Sequence, residues 1–171
     1  MTPSLLAALA FAVHVGDITS GTGPCGDEWM DARKKQFSRF THPFVLLPGD
    51  NDWTDCHRTG FDPLERLASW RARFCFRLDR ISLERQEGKY CENVRWIHDD
   101  VVFVGLNVTG SNNNLNRDPL EHGDTHEYRD DEPLPGLLRV QVHGSPHIRW
   151  TKARIERAGA RLFDASPAPV Q

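Results

Sequence analysis

Phe11-Ala-Val-His-Val-Gly-Asp-Ile-Thr-Ser-Gly21 and Phe44-Val-Leu-Leu-Pro-Gly-Asp-Asn-Asp52 decide the reading of this chain. Each opens on a short apolar run, as a strand buried on both faces does, and each runs into a polar loop through a Gly-Asp pair. Ala12 to Val15 and Phe44 to Leu47 are therefore expected as strands. Two neighbouring strands would then bring Asp17 and Asp50 to one edge of a sheet.

Working outward, Asp27 and Glu28 supply first-turn acids for a helix running to about Phe40, with Trp29, Met30, Phe37 and Phe40 on one face and His42-Pro43 ending it. Asp62-Pro63-Leu64-Glu65 combines an N-cap acid, proline at the first helical position and Glu three residues after the cap, so a second helix starts there. Leu64, Leu67, Trp70 and Phe74 recur at helical spacing and are expected in the core. Val94 to Ile97 and Val101 to Val108 read as strands joined by a turn at His98-Asp99-Asp100. Residues 118 to 135 are acidic and polar, without apolar periodicity, and only His122-Gly-Asp-Thr-His126 stands out. Leu137 to Val142, His147 to Ile155 and Ala160 to Phe163 then read as antiparallel strands with turns at Gly144-Ser145-Pro146 and Ala158-Gly159. Alternating helices and strands followed by consecutive strands predict a mixed α/β sandwich.

At 171 residues the chain suits one domain, 1–171, with a real core. With 39% hydrophobic and 26% charged residues it reads as water-soluble, and no apolar run approaches a membrane span. A net charge of -3 with mixed signs argues against duplex nucleic acid as the main partner and for small-molecule chemistry. The opening residues 1–13 lack the basic segment of a secretory leader and read as a helix end passing into a strand. Compartment stays open, cytoplasmic or, if the true N-terminus lies upstream, exported. Cys25, Cys56, Cys75 and Cys91 lack the CxxC spacing of a zinc knuckle. Cys25 and Cys56 each follow a site loop, so a disulfide tying those loops together is one reading, and four buried thiols the other.

Three motifs offer carboxylates and imidazoles of the kind a two-metal centre needs: VGD at Asp17, PGDND at Asp50 to Asp52, and HGDTH at His122 to His126. In this order, and with HVGDITSG, LLPGDNDWTDCHR, FDPLERL, RQEGKYCENVRW and FVGLNVTGSNNN around them, they resemble a bacterial branch of the calcineurin-like metallophosphoesterases across most of residues 10 to 165. The resemblance implies two packed mixed sheets flanked by helices, two divalent ions (Mn, Fe or Zn), and phosphoester hydrolysis by metal-activated water. It assigns Asp17 as the bridging acid, with Asp50, His126 and Asp124 at ligand positions; His122 has no strict counterpart in the family but lies two residues from Asp124 and could lend a nitrogen.

This chain also departs from the family pattern. Asp50 stands where the family has a metal-binding Asn, Asn51 where it has a substrate-contacting His, and Asp124 where the last motif has its first His. Asn51 can steady a phosphate by hydrogen bonding but cannot exchange a proton near neutral pH, so acid assistance would fall to another group such as His57. Asp52 matches the acid that orients the missing His, and here it would hold the Asn51 amide or cap the next helix. No Asp-x-His strand precedes Asp17 and no lone-His segment precedes His122; His14 and His98 are the available substitutes. The pattern is that of a family member truncated at its N-terminus and internally deleted, with apolar surface exposed and self-association open to it. Asn107 and Asn112 to Asn114 are further candidates for substrate contact. Two readings follow: a phosphoesterase acting on a small-molecule phosphoester, and a catalytically impaired remnant that binds a metal or a partner.

Overall fold

The computed structural model describes residues 9–75 and 81–108 and the strands 129–134, 137–141, 151–155 and 163–167. The chain divides into two compact units, Met1–His122 and Gly123–Gln171. The expected opening helix end lies largely outside the described residues. Among the described residues, no helix is long and apolar enough to cross a membrane.

In the first unit, β1 (Ala12–His14) pairs in parallel with β2 (Phe44–Leu46), and helix α1 (Asp27–Phe37) connects them. A 3-10 helix (Thr54–Thr59) and helix α2 (Pro63–Phe74) follow, then β3 (Glu84–Arg85), β4 (Val94–His98) and β5 (Val101–Gly105), an antiparallel sheet in the order β3-β4-β5. This is an α/β arrangement of helices and small sheets.

β2 is buried at every position, as its unbroken apolar run predicts. Phe44 and Leu46 turn to one side and pack with Met30, Trp70 and Phe74 of the two helices. Val45 and Leu47 pack on the other side with Val94 and Trp96 of β4, where Phe11 and Phe103 close the cluster. One strand thus serves two cores.

α2 starts as its sequence dictates: the Asp62 side chain accepts a hydrogen bond from the Glu65 N–H at 2.8 Å, with Pro63 at the first turn. Its inward stripe is Pro63, Leu67, Trp70 and Phe74. Leu64, expected in the core, is instead 63% exposed, because Pro63 already occupies the inward row one position earlier. α1 ends at Phe37, short of Phe40, which is exposed and lies tilted against Phe44.

The β4–β5 turn is tighter than a loop. Asp99 and Asp100 both have positive φ, 50° and 62°, the backbone of a two-residue hairpin that matches the twist of its strands. On the outer face of this hairpin Ile97, Val102 and Val104 remain exposed. Behind it, Glu92 is buried to 1% exposure and forms an ion pair with Arg71. The Asn107 side-chain amide also donates to Glu92, at 3.3 Å. Asn107, a candidate for substrate contact, is thus tied to the buried Glu92; Asn112 to Asn114 lie outside the described residues.

All four cysteines are paired, Cys25 with Cys56 and Cys75 with Cys91. The second bond joins the end of α2 to the segment before β4. Loops of this length favour the folded chain by roughly 3 to 4 kcal/mol per bond through restriction of the unfolded ensemble.

In the second unit β6 (Arg129–Leu134) is antiparallel to β7 (Leu137–Gln141), and β8 (Thr151–Ile155) to β9 (Phe163–Pro167). β6 lies within the segment read from sequence as having no regular pattern. Its ladder needs only main-chain groups, and a register shift falls between Asp131 and Leu134, where Pro133 removes a donor. The last strand begins where the sequence reading ended it, at Phe163. The turns expected at 144–146 and 158–159 lie outside the described residues.

Candidate metal and anion site

Parallel pairing places the site. His14 of β1 is level with Leu46 of β2, so the residues that follow each strand emerge together at the carboxyl edge of the pair. Asp17 comes three residues after one strand end and Asp50 four after the other.

The two loops touch through glycine. Gly16 has φ of 94° and lies so close to Gly49 that a Cβ on it would fall 2.5 Å from the Pro48 carbonyl carbon and overlap the Gly49 backbone. A Cβ on Gly49 would in turn lie 2.5 Å from the Asp17 nitrogen. Both Gly-Asp pairs are therefore needed as pairs, the glycine for approach and the acid for chemistry.

Asp52 locks this contact. Its carboxylate accepts hydrogen bonds from the backbone N–H groups of Gly49 (2.9 Å), Asp17 (3.0 Å) and Ile18 (2.7 Å), and the residue is 1% exposed. The expectation that Asp52 holds the Asn51 amide or caps a helix is corrected: it fastens the β1 loop to the β2 loop. The clamp also holds Asp17 at φ of 59°, a left-handed conformation that costs a non-glycine residue about 1 to 3 kcal/mol.

Asp17 and Asp50 consequently face each other. Their carboxyl groups share a hydrogen bond, and the Asn51 N–H lies 3.4 Å from Asp17 Oδ1 and 2.9 Å from Asp50 Oδ1. Burial of its carboxyl, then the charges of Asp50 and Asp52, push Asp17 up to about 8. The Asp17 residue as a whole stays exposed while its carboxyl turns inward, so water screens part of the repulsion. Burial pushes Asp52 up to about 7, against the three N–H groups that favour its charged form.

These shifts have a defined sign. The folded chain retains protons that the unfolded chain has lost, so their stabilising contribution is complete below about 3.8, the ordinary value, and disappears as pH rises through 7 to 8. The metal-free protein is expected to lose thermal stability between pH 5 and pH 8, and Asp17→Asn to flatten that slope, as thermal melts across the range would read. An unchanged slope in the variant would remove Asp17 as its source.

The loops are further joined by the Cys25–Cys56 disulfide, the pairing raised from sequence. Its sulfurs lie 3.8 and 3.5 Å from the Asn51 carbonyl oxygen, so the bond packs directly on the PGDND turn.

His14 and His98 do not complete a ligand set. The His14 ring is packed with Phe37 and Phe44, its Nδ1 accepts from the Gly16 N–H at 3.2 Å, and burial lowers its pKa. His98 is placed at the hairpin turn, 3.9 Å from Asp99. His57 Nδ1 donates to the Thr54 carbonyl at 2.7 Å, which leaves Nε2 as its nitrogen for proton exchange. His122, Asp124 and His126 lie outside the described residues. Among the described residues, no group of three or more His, Cys, Asp or Glu side chains is arranged to hold a metal ion. Asp17 and Asp50 form a pair only.

Searches against protein-family models, curated proteins and solved structures returned no match.

Proposed function

We propose that the Asp17–Asp50 pair binds a divalent cation and that the protein is a metal-dependent hydrolase of small-molecule phosphoesters. The observation that carries this reading is the convergence of two carboxyl groups at the carboxyl edge of paired parallel strands, in a loop contact clamped by Asp52. Two hard oxygen donors forced together against their mutual repulsion fit a small divalent cation, whose charge would relieve that repulsion and release their shared proton. Mn, Fe or Zn bound there would supply Lewis acidity, polarising a phosphoryl oxygen and activating water.

The chain's own residues divide the remaining tasks. Asp17 and Asp50 hold the cation side, Asp52 fixes their loops, and Asn51 orients the phosphoryl group through its side-chain amide. Asp124 and His126 are the further ligands proposed from the family resemblance, His122 is proposed for its place two residues from Asp124, and the two-sheet sandwich of the calcineurin-like metallophosphoesterases, in a shortened form, is the fold proposed with them. The two disulfides favour an oxidising compartment. Duplex nucleic acid and membrane are not among the proposed partners; association with a second copy is, through the exposed apolar face of β4 and β5.

A second reading is favoured by the ligand count. With a carboxylate pair and no third ligand among the described residues, the chain would keep the fold and bind one ion, or a partner, without turnover. Hydrolysis of an aryl phosphate in added Mn separates the two. The hydrolase predicts Mn-dependent turnover that Asp17→Ala reduces by more than the roughly 10- to 100-fold typical of changes beyond the metal's own ligands. Equal or absent turnover in both proteins would leave the binding reading.

A further inference from the structure

The loop that carries Asp17 is fastened to the loop of Asp50 in two ways, one polar and one covalent. Asp52 holds its start, at the Asp17 and Ile18 N–H groups. Further along the same loop, Cys25 is bonded to Cys56 of the 3-10 helix that follows the PGDND turn. Between these ties Ser20, Thr22 and Pro24 are exposed, and Gly21 and Gly23 have no side chain to pack, so burial does little to hold the stretch. Arg58 of the 3-10 helix reaches the Gly21 carbonyl at 3.5 Å, a long contact at the surface.

The covalent tie meets the carboxylate pair through one residue. The Asn51 carbonyl oxygen lies 3.8 Å from Cys25 Sγ and 3.5 Å from Cys56 Sγ, while the Asn51 N–H lies 3.4 Å from Asp17 Oδ1 and 2.9 Å from Asp50 Oδ1. Asn51 thus has the disulfide at its carbonyl and both carboxyl groups at its N–H. Each cysteine is also set from the helix side. The buried Arg66 of α2 donates to the Cys25 carbonyl at 3.0 Å, and the Cys56 carbonyl accepts from the Phe61 N–H at 3.1 Å. The two cysteines are 4% and 1% exposed. A reductant in solution reaches such a bond only when the loops part, and parting the loops is what separates Asp17 from Asp50.

We propose that Cys25 and Cys56 are redox-sensitive positioning residues of the cation site: with their bond closed the Asp17–Asp50 pair binds a divalent cation, and with it open the pair loses affinity. This rests on the cation reading of the pair. In the opening step a thiolate of a dithiol attacks one cysteine sulfur and the second sulfur of the dithiol displaces it. The dithiol ends as a cyclic disulfide, and Cys25 and Cys56 take up its two protons as thiols. Coupling between two sites is reciprocal, so the factor that reduction takes from cation affinity is the factor by which the cation opposes reduction. Cys75–Cys91 joins the end of α2 to the segment before β4 and belongs to neither loop, so its opening is not coupled to the cation. Cation occupancy would then follow the redox state of the compartment, full where disulfides persist and lost where dithiols keep them open.

The test begins with calorimetric titration of Mn into the oxidised full chain and into the double variants Cys25→Ser/Cys56→Ser and Cys75→Ser/Cys91→Ser. Mn is the probe because thiols prefer softer ions. Loss of the first bond is expected to weaken Mn at least about fivefold, the lower end of ordinary couplings between sites, and loss of the second to leave it within about twofold. A second measurement needs neither double variant. Wild type is equilibrated in graded dithiol buffers with and without Mn and then alkylated, and the open fraction of each bond is read from peptide masses. Mn should move the Cys25–Cys56 midpoint to more reducing buffer and leave that of Cys75–Cys91 in place, and Asp17→Ala should abolish the shift. Should the serine variants fail to fold, these midpoints decide alone. A Cys25–Cys56 midpoint that Mn does not move, or Mn affinity unchanged without that bond, overturns the coupling and leaves the cation reading standing. Both midpoints moving together would mean that Mn only stabilises the fold, which also overturns it. No uptake of Mn by oxidised wild type sinks the cation reading itself, and the coupling with it.

Discussion

Asp52→Ala is expected to unfold the site and to lower the stability of the whole chain by roughly 3 to 5 kcal/mol, because three backbone N–H groups lose their only shared acceptor and each buried orphan costs about 1 to 3 kcal/mol. The lower part of that range reflects water reaching the loops once they separate. Asp52→Asn distinguishes charge from shape. The Asn oxygen placed at Oδ2 would still accept from Asp17 and Gly49, but its NH2 group would then face the Ile18 N–H, donor against donor. A loss smaller than that of the alanine variant is expected, with cation binding impaired in both. Denaturant unfolding of the three proteins gives the comparison, and an alanine variant within 1 kcal/mol of wild type would contradict the clamp.

Gly16→Ala should be comparably severe for a different reason. The added methyl meets backbone atoms of the neighbouring loop, which cannot rotate away, and the φ of 94° is one that L side chains rarely adopt. Strained backbone and overpacking each cost about 1 to 3 kcal/mol, and together they predict a loss of roughly 3 kcal/mol or more. Either the β1 loop lifts off Gly49, separating Asp17 from Asp50, or the chain fails to fold. Gly60→Ala is a control within the same unit: its φ is also positive, at 87°, but no atom lies within 4 Å of the added carbon. The difference in melting temperature between the two variants isolates the close approach from the strain.

Much of this arrangement was legible in the chain itself. The apolar runs at 12–15 and 44–47 become paired strands, Asp62-Pro63 starts α2, and the Gly-Asp pairs meet at one edge. Periodicity reports burial, so it placed Leu67, Trp70 and Phe74 correctly, but it could not choose between Pro63 and Leu64 for the first inward position. It was also silent on β6, because the ladder that pairs it with β7 is made by main-chain groups, which leave no trace in side-chain periodicity.

The role of Asp52 was read wrongly, because sequence spacing does not say which backbone donors a carboxylate will find across 34 and 35 residues. The reach of Arg58 to the Gly21 carbonyl was not read from sequence. Its only local signal was an acid three residues earlier, the spacing at which the 3-10 helix brings Asp55 to it. That signal ordinarily marks a surface ion pair. The approach to Gly21 is a tertiary contact, as is the Cys25–Cys56 bond that holds the same loops.

Titration of Mn into metal-free wild type and Asp17→Ala asks whether Asp17 and Asp50 share a cation. A shared cation predicts at least one ion per chain in wild type, tighter at pH 8 than at pH 6 as the shared proton is displaced, with affinity lost in the variant. Wild type that takes up no ion, or a variant that binds it equally well, would rule out a cation held by this pair.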